Sequence, residues 1–153
     1  MAFKLRTDAF PSGGEIPVQY TCSGADGSPE LSWSGVPGGT QSLALIMDDP
    51  DAPGGTFTHW LLYNLDFQQT HLPENLPKAG AGVAGSAQGR NDFGRLGYAG
   101  PCPPPGRPHR YFFRLYALDS KLNLRAGAAR QEADLAMKGH ILGETEWMGT
   151  FKR

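Results

Sequence analysis

Apolar positions along this chain fall in short runs broken by turn residues, with 21 Gly and 13 Pro in 153 residues. Ser42 to Met47 is an almost unbroken apolar run and predicts a buried strand that ends on Asp48-Asp49. Thr58 to Leu65 predicts the next strand, and Thr145 to Phe151 a closing one. Tyr111 to Leu118 gives the strongest strand signal, because aromatic and branched side chains fit a pleated, half-buried surface. Short strands punctuated by turns favour an antiparallel sandwich over alternating strand–helix units. One helix is predicted over Ala128 to Lys138, where Ala, Glu, Gln, Leu and Met dominate and Gly139 supplies a stop.

Pro73 to Gly97 lacks periodicity and reads as a long loop, a kind of segment that is usually functional or mobile. Within it, Gly80-Ala81-Gly82-Val83-Ala84-Gly85 matches the G-x-G-x-x-G spelling of dinucleotide sites. That spelling has physical meaning only between a strand and a helix N-terminus. Here it is flanked by Pro77-Lys78 and Gly89-Arg90, so it reads as a connector.

Length and charge narrow the classes. The chain reads as a single domain over 1–153, long enough to bury one core. Charged residues make up 19% of it, below the ~25% typical of soluble domains. Fourteen Lys and Arg against fifteen Asp and Glu leave a net charge of -1, with no basic stripe for nucleic acid. No stretch approaches the ~20 apolar residues of a membrane span, and the N-terminus has no apolar secretory core. A cytoplasmic location is therefore expected, with Cys22 and Cys102 as thiols in a reducing compartment. Exposed aromatics would allow a homodimer, although no heptad pattern is present.

Two turn-rich segments gather the candidate chemistry. Asp48-Asp49-Pro50-Asp51-Ala52-Pro53-Gly54-Gly55 precedes His59-Trp60, and Gly97 to Gly106 precedes His109-Arg110-Tyr111. Proline-stiffened loops order at low entropic cost and can hold a small concave site. Asp49 ends an apolar strand, where its carboxylate can accept a hydrogen bond from an imidazole and favour the cation. Asp51 reads as a turn former. His109 and Tyr111 share a strand face by the period-two rule and together suit anion oxygens. His71 and His140 lack such company.

Two further chemistries use the same residues. Asp49, His59 and His109 could form the two-histidine, one-carboxylate set of a metal-dependent enzyme or hydrolase, although no close His spacing supports it. A Cys102–His109 pair could form a nucleophilic dyad, with four prolines lying between the two residues.

The run Asp49-Pro50-Asp51-Ala52-Pro53-Gly54-Gly55-Thr56-Phe57-Thr58-His59-Trp60 resembles the first signature of the phosphatidylethanolamine-binding protein family, in its bacterial, Raf-kinase-inhibitor-like branch. Gly97-Tyr98 to Phe113 is similar to the second signature. Tyr20-Thr21-Cys22, Ser28-Pro29, Leu31-Ser32-Trp33 and Met137 to Leu142 also resemble that branch. The resemblance implies a mainly β, antiparallel Greek-key β-sandwich with small peripheral helices and a pocket at one end of the central sheet. It implies a non-enzymatic module, without a cofactor, binding phosphate-like anions or phosphorylated head groups. A kinase or protease partner, inhibited through the protein surface, is a further implication. By motif position the ligand-binding roles fall on Asp49, His59, His109 and Tyr111, with Pro53 shaping the wall. The main chain from Gly100 to Cys102 would complete it, Cys102 standing where some relatives carry glycine. In this reading Asp49 orients both imidazoles, and cationic imidazoles make affinity rise as pH falls through roughly 6.5.

Overall fold

A computed structural model describes residues 2–153. In chain order the elements are β1 (Lys4–Arg6), β2 (Leu31–Ser34), β3 (Ser42–Asp49), β4 (Phe57–Asp66), β5 (His71–Leu72), β6 (Ala87–Gln88), β7 (His109–Leu118), α1 (Arg130–Met137) and β8 (Ile141–Phe151). A three-stranded sheet has the order β1-β2-β5, and a five-stranded sheet the order β6-β4-β3-β7-β8. Every ladder between these strands is antiparallel. The mainly β, two-sheet architecture expected from the sequence is what the chain adopts, with four predicted strands each present and slightly longer than predicted.

β3 is the centre of the larger sheet, and all eight of its residues are buried. Strand alternation sends Leu43, Leu45 and Met47 inward, where they join Trp60, Tyr111, Phe113 and Leu115. The smaller sheet closes this core with Leu5, Leu31, Trp33 and Leu72. Ala44 and Ile46 point outward to a second cluster with Leu61, Tyr63, Leu118, Ala128 and Met137, which α1 covers. A sheet that is apolar on both faces reads as a continuous apolar run, and that is why Ser42 to Met47 shows no alternation. The helix is stopped at its start by Ala129, whose N–H donates to the Glu132 side chain at 3.1 Å.

The long loop is more ordered than its lack of periodicity suggests. It holds β6 and a single 3-10 turn at Val83–Gly85. The glycine motif thus opens no helix, and Ala84 lies at φ 48°. The expected thiols are a correction: Cys22 and Cys102 form a disulfide, with Cα atoms 5.4 Å apart across a sequence separation of 80. The expectation rested on an assumed compartment, whereas folding seats the segment around Cys22 against the proline-rich loop, with Cys22 N–H donating to the Pro101 carbonyl at 3.1 Å. Among the described residues no helix is long and apolar enough to cross a membrane.

Closing a loop of that length removes much entropy from the unfolded chain, on the order of 4 kcal/mol in the chain-entropy account. Urea unfolding with and without a phosphine reductant should show a clearly lower midpoint for the reduced protein. The Cys22→Ser/Cys102→Ser variant should match the reduced protein and ignore the reductant. Equal midpoints would show that the cross-link does not constrain the unfolded chain.

Candidate functional site

Asp49 ends β3, and β7 opens with His109 and Tyr111, so antiparallel pairing of these strands brings the three residues to one sheet end. His59 reaches the same place by a different device. In the β3–β4 ladder Met47 pairs with Trp60 and Asp48 with Thr58, which leaves His59 as an extra residue on β4. Such a bulge re-aims a side chain. Strict alternation would set His59 beside Leu61 and Tyr63 on the outer face. Instead it lines one cavity with Asp49, His109 and Tyr111.

That cavity holds about 170 Å³ and is otherwise walled by Ala52, Pro53, Phe57, Phe93, Cys102, Pro103 and Pro104. At ~30 Å³ per water it has room for roughly five waters, the scale of a small oxyanion with part of its substituent. Of the residues expected from the sequence, Asp49, Pro53, His59, Cys102, His109 and Tyr111 converge here. Gly100 does not line it. Its N–H donates to Asp26 Oδ1 at 2.8 Å, and a Cβ there would lie 2.1 Å from the Tyr20 carbonyl oxygen. Gly100 therefore packs behind the wall, and its amide is already engaged.

The hydrogen bonds assign the ring nitrogens. His109 Nδ1 lies 2.7 Å from Asp49 Oδ2, with side-chain exposures of 6% and 4%. His59 Nδ1 lies 2.7 Å from the Ala99 carbonyl oxygen. A carbonyl only accepts, and so does an ionised carboxylate, so each Nδ1 carries the proton. Asp49 thus orients His109 alone, and Ala99 orients His59; the expected shared orientation is corrected. Each neutral ring is left with an unprotonated Nε2 as its second site. Burial lowers the His59 pKa, against the opposing pull of the Ala99 bond and the Asp49 charge. The free pocket therefore holds a neutral His59 at neutral pH.

Tyr111 stands between the two imidazoles, its ring centroid 5.4 Å from that of His59 and 6.4 Å from that of His109. Burial, reinforced by the Asp49 charge, pushes its phenol far above the ordinary range, so it remains a neutral hydroxyl. That hydroxyl is buried and makes no well-formed hydrogen bond among the described residues, although the Asp49 carboxylate is close enough to hold its proton. Its proton is free to turn to an acceptor that enters the cavity, water or ligand.

Asp51 is more than a turn former. Its carboxylate takes both the Arg110 Nε and Nη2 donors at 2.9 Å, and the Arg110 main-chain N–H at 2.9 Å. The Arg110 hydrogen bonds hold its carboxyl down at about 2. This clamp ties the acidic loop to the start of β7, next to His109. Phe57 and Phe93 are also unanticipated; their rings meet at 4.6 Å and form an apolar lip. The clue was an aromatic in a long loop that otherwise lacks them.

A larger recess of about 800 Å³ opens on the outer face around Asp48, Arg114 and Arg130. Asp48 is buried and bonded to both guanidinium groups at 3.1 Å, so this is an ion-paired support for α1. His71 lies 3.6 Å from Glu30 and His140 Nδ1 2.7 Å from Asp119, both away from the cavity. Among the described residues no group of three or more His, Cys, Asp and Glu is placed to hold a metal ion. Cys102 lines the wall as half of a disulfide, so it offers no thiolate there.

Comparison with known proteins gives one consistent answer. The family model described as phosphatidylethanolamine-binding protein matches residues 6–152. A UPF0098 protein of Methanothermobacter thermautotrophicus is 55% identical, over 97% of this chain and 98% of that one. Another, from Aquifex aeolicus, is 52% identical over 95% and 85%. The crystal structure of E. coli YbcL, described as a new member of the mammalian PEBP family, superposes with TM-score 0.94 at 31% identity, covering 100% of this chain and 99% of that one. That of CT736 from Chlamydia trachomatis gives TM-score 0.89 at 41% identity, over 99% and 98%.

If the Tyr111 hydroxyl has no partner in the free protein, Tyr111→Phe removes an unsatisfied group and leaves packing intact. Its thermal unfolding midpoint should equal or exceed that of the parent, by the equivalent of up to about 1–3 kcal/mol. A loss above about 1 kcal/mol would reveal a structural hydrogen bond instead.

Proposed function

The chain belongs to the phosphatidylethanolamine-binding protein family, and we propose that it is a binding module whose cavity takes the anionic end of a phosphorylated or otherwise acidic ligand. The observation that carries this reading is the convergence in one cavity of two imidazoles, each with Nδ1 already engaged, and one buried phenol. A tetrahedral oxyanion offers several oxygens to such a cluster. Tyr111 donates to one of them. Each Nε2 either accepts from an acid hydroxyl of the ligand or, once protonated, donates to an anionic oxygen. Charge-assisted bonds of that second kind contribute roughly 1.5–3 kcal/mol each. The apolar walls exclude water and lengthen the reach of these charges.

The proton balance sets the sign of the pH dependence. Asp49 brings a negative charge into the cavity and burial keeps His59 neutral in the free state. A bound anion favours the imidazolium, so the His59 pKa rises on binding and complex formation takes up a proton. Affinity is then greatest at low pH and falls as pH rises through the His59 pKa of the complex. A protein partner that inserts a phosphoryl group, whether kinase or protease, would use the same cavity and be displaced by free phosphate.

Calorimetric titration with phosphate and with sulfate at pH 6 and pH 8 tests this. Sulfate stays fully ionised at both values, so its pH dependence belongs to the protein. Both anions should bind more tightly at pH 6, sulfate by severalfold, with heats that vary with buffer ionisation enthalpy. His109→Ala should weaken both by about tenfold or more. Equal sulfate affinity at the two pH values, or unchanged binding in His109→Ala, would remove the imidazoles from the site.

A further inference from the structure

A second recess, of about 420 Å³, lies beside the anion cavity and is lined by Asp26, Lys78, Arg90, Gly94, Arg95, Leu96 and Tyr98. Three cations face one carboxylate there, in a chain whose net charge is -1. Lys78 is committed: its ammonium donates to the Asp26 and Tyr98 carbonyl oxygens and lies 3.7 Å from the Asp26 carboxylate. The two guanidinium groups are not. Among the described residues neither Arg90 nor Arg95 forms an ion pair, and Arg90 Nη1 donates only to the Gly94 carbonyl oxygen.

The two recesses are linked by one contact, Arg95 against Phe93. Phe93 lines the anion cavity, and the Arg95 guanidinium lies 5.2 Å from its ring centroid. The same ring stands 5.8 Å from the His59 ring in an edge-to-face arrangement. Guanidinium and imidazole are thus no farther apart than the sum of those two distances. Phe93 is 42% exposed, so it presents an apolar surface between the first cavity and a recess that holds two guanidinium groups without ion-pair partners. Charge, spacing and the apolar bridge all fit one kind of molecule.

We propose that the ligand carries two acidic groups: a phosphate in the cavity of His59, His109 and Tyr111, and a second anion, carboxylate or phosphate, held by Arg95 and Arg90 across a short uncharged spacer lying on Phe93. This rests on the anion-binding reading of the first cavity and adds the ligand's other end. A head-group ammonium that reached this recess would meet two guanidinium groups there. The bis-acid meets complementary charge at both ends and the exposed part of the Phe93 ring between them.

Phenyl phosphate and 4-carboxyphenyl phosphate separate the two ideas when titrated at fixed pH and ionic strength. The carboxylated probe should bind roughly three- to tenfold more tightly, the gain of one or two partly exposed ion pairs. Arg95→Ala and Arg90→Ala should each shrink that gap while leaving phenyl phosphate affinity within about twofold. Arg6→Ala, which removes the same charge from the smaller sheet, should leave the gap unchanged. Equal affinity of the two probes for the parent protein, a gap that persists in both arginine variants, or a gap lost equally in Arg6→Ala would each overturn the second-anion site while phenyl phosphate still binds. Binding of neither probe would instead remove the first cavity as an anion site, and this inference with it.

Discussion

The bulge at His59 is the constraint on which the site depends. β4 runs between the hydrophobic interiors on both faces of the sheet, and a regular strand there would direct His59 outward with Leu61 and Tyr63. One extra residue turns it inward beside Asp49 and Tyr111. A bulge interrupts the ladder, and the long loop supplies what is missing. Asp92 N–H donates to the Thr58 carbonyl, and the Thr58 N–H returns to the Asp92 carboxylate at 2.7 Å. Ala99 N–H donates to the His59 carbonyl at 3.1 Å while the Ala99 carbonyl takes the His59 ring N–H. The segment from 91 to 99 acts as a substitute edge strand that also sets the tautomer of the imidazole. Its lack of periodicity is therefore not disorder.

The remaining walls are held as firmly. The disulfide joins the proline-rich loop to the N-terminal segment, and Arg153 Nε donates to the Pro103 carbonyl at 2.6 Å. Asp51 clamps Arg110, and Asp26 holds the Gly100 amide that follows Ala99. Adjacent aspartates divide the work across the sheet. Asp49 faces inward to His109, and Asp48 faces outward to Arg114 of β7 and to Arg130, which ties α1 to the sheet. A ligand meets a cavity whose polar groups are already oriented, so little ordering entropy opposes binding.

Much of this was readable in the chain because the long strands are apolar and their ends are punctuated by Asp, Pro and Gly. The convergence of Asp49, His109 and Tyr111 follows from strand ends and a period of two. The smaller sheet was not readable. Its strands have three, four and two residues, too short for a periodic signal, although Leu31-Ser32-Trp33 carried family likeness. The bulge was invisible for the opposite reason, since alternation rules assume a regular ladder. The cysteine pair shows a third limit: composition speaks only to compartment, whereas the fold sets the two Cα atoms at a spacing that a disulfide spans. Motif position in the family likeness puts Gly100 in the wall, yet its amide is turned toward Asp26.

Long-range proton–nitrogen spectra of the histidine rings test the central claim most directly, because they read tautomer and ligand contact in one experiment. The free protein should show both His59 and His109 protonated at Nδ1, and added phosphate should shift both Nε2 resonances along one binding curve. A His59 ring protonated at Nε2, or an Nε2 response confined to His109, would mean that the bulge does not deliver His59 to a shared anion site.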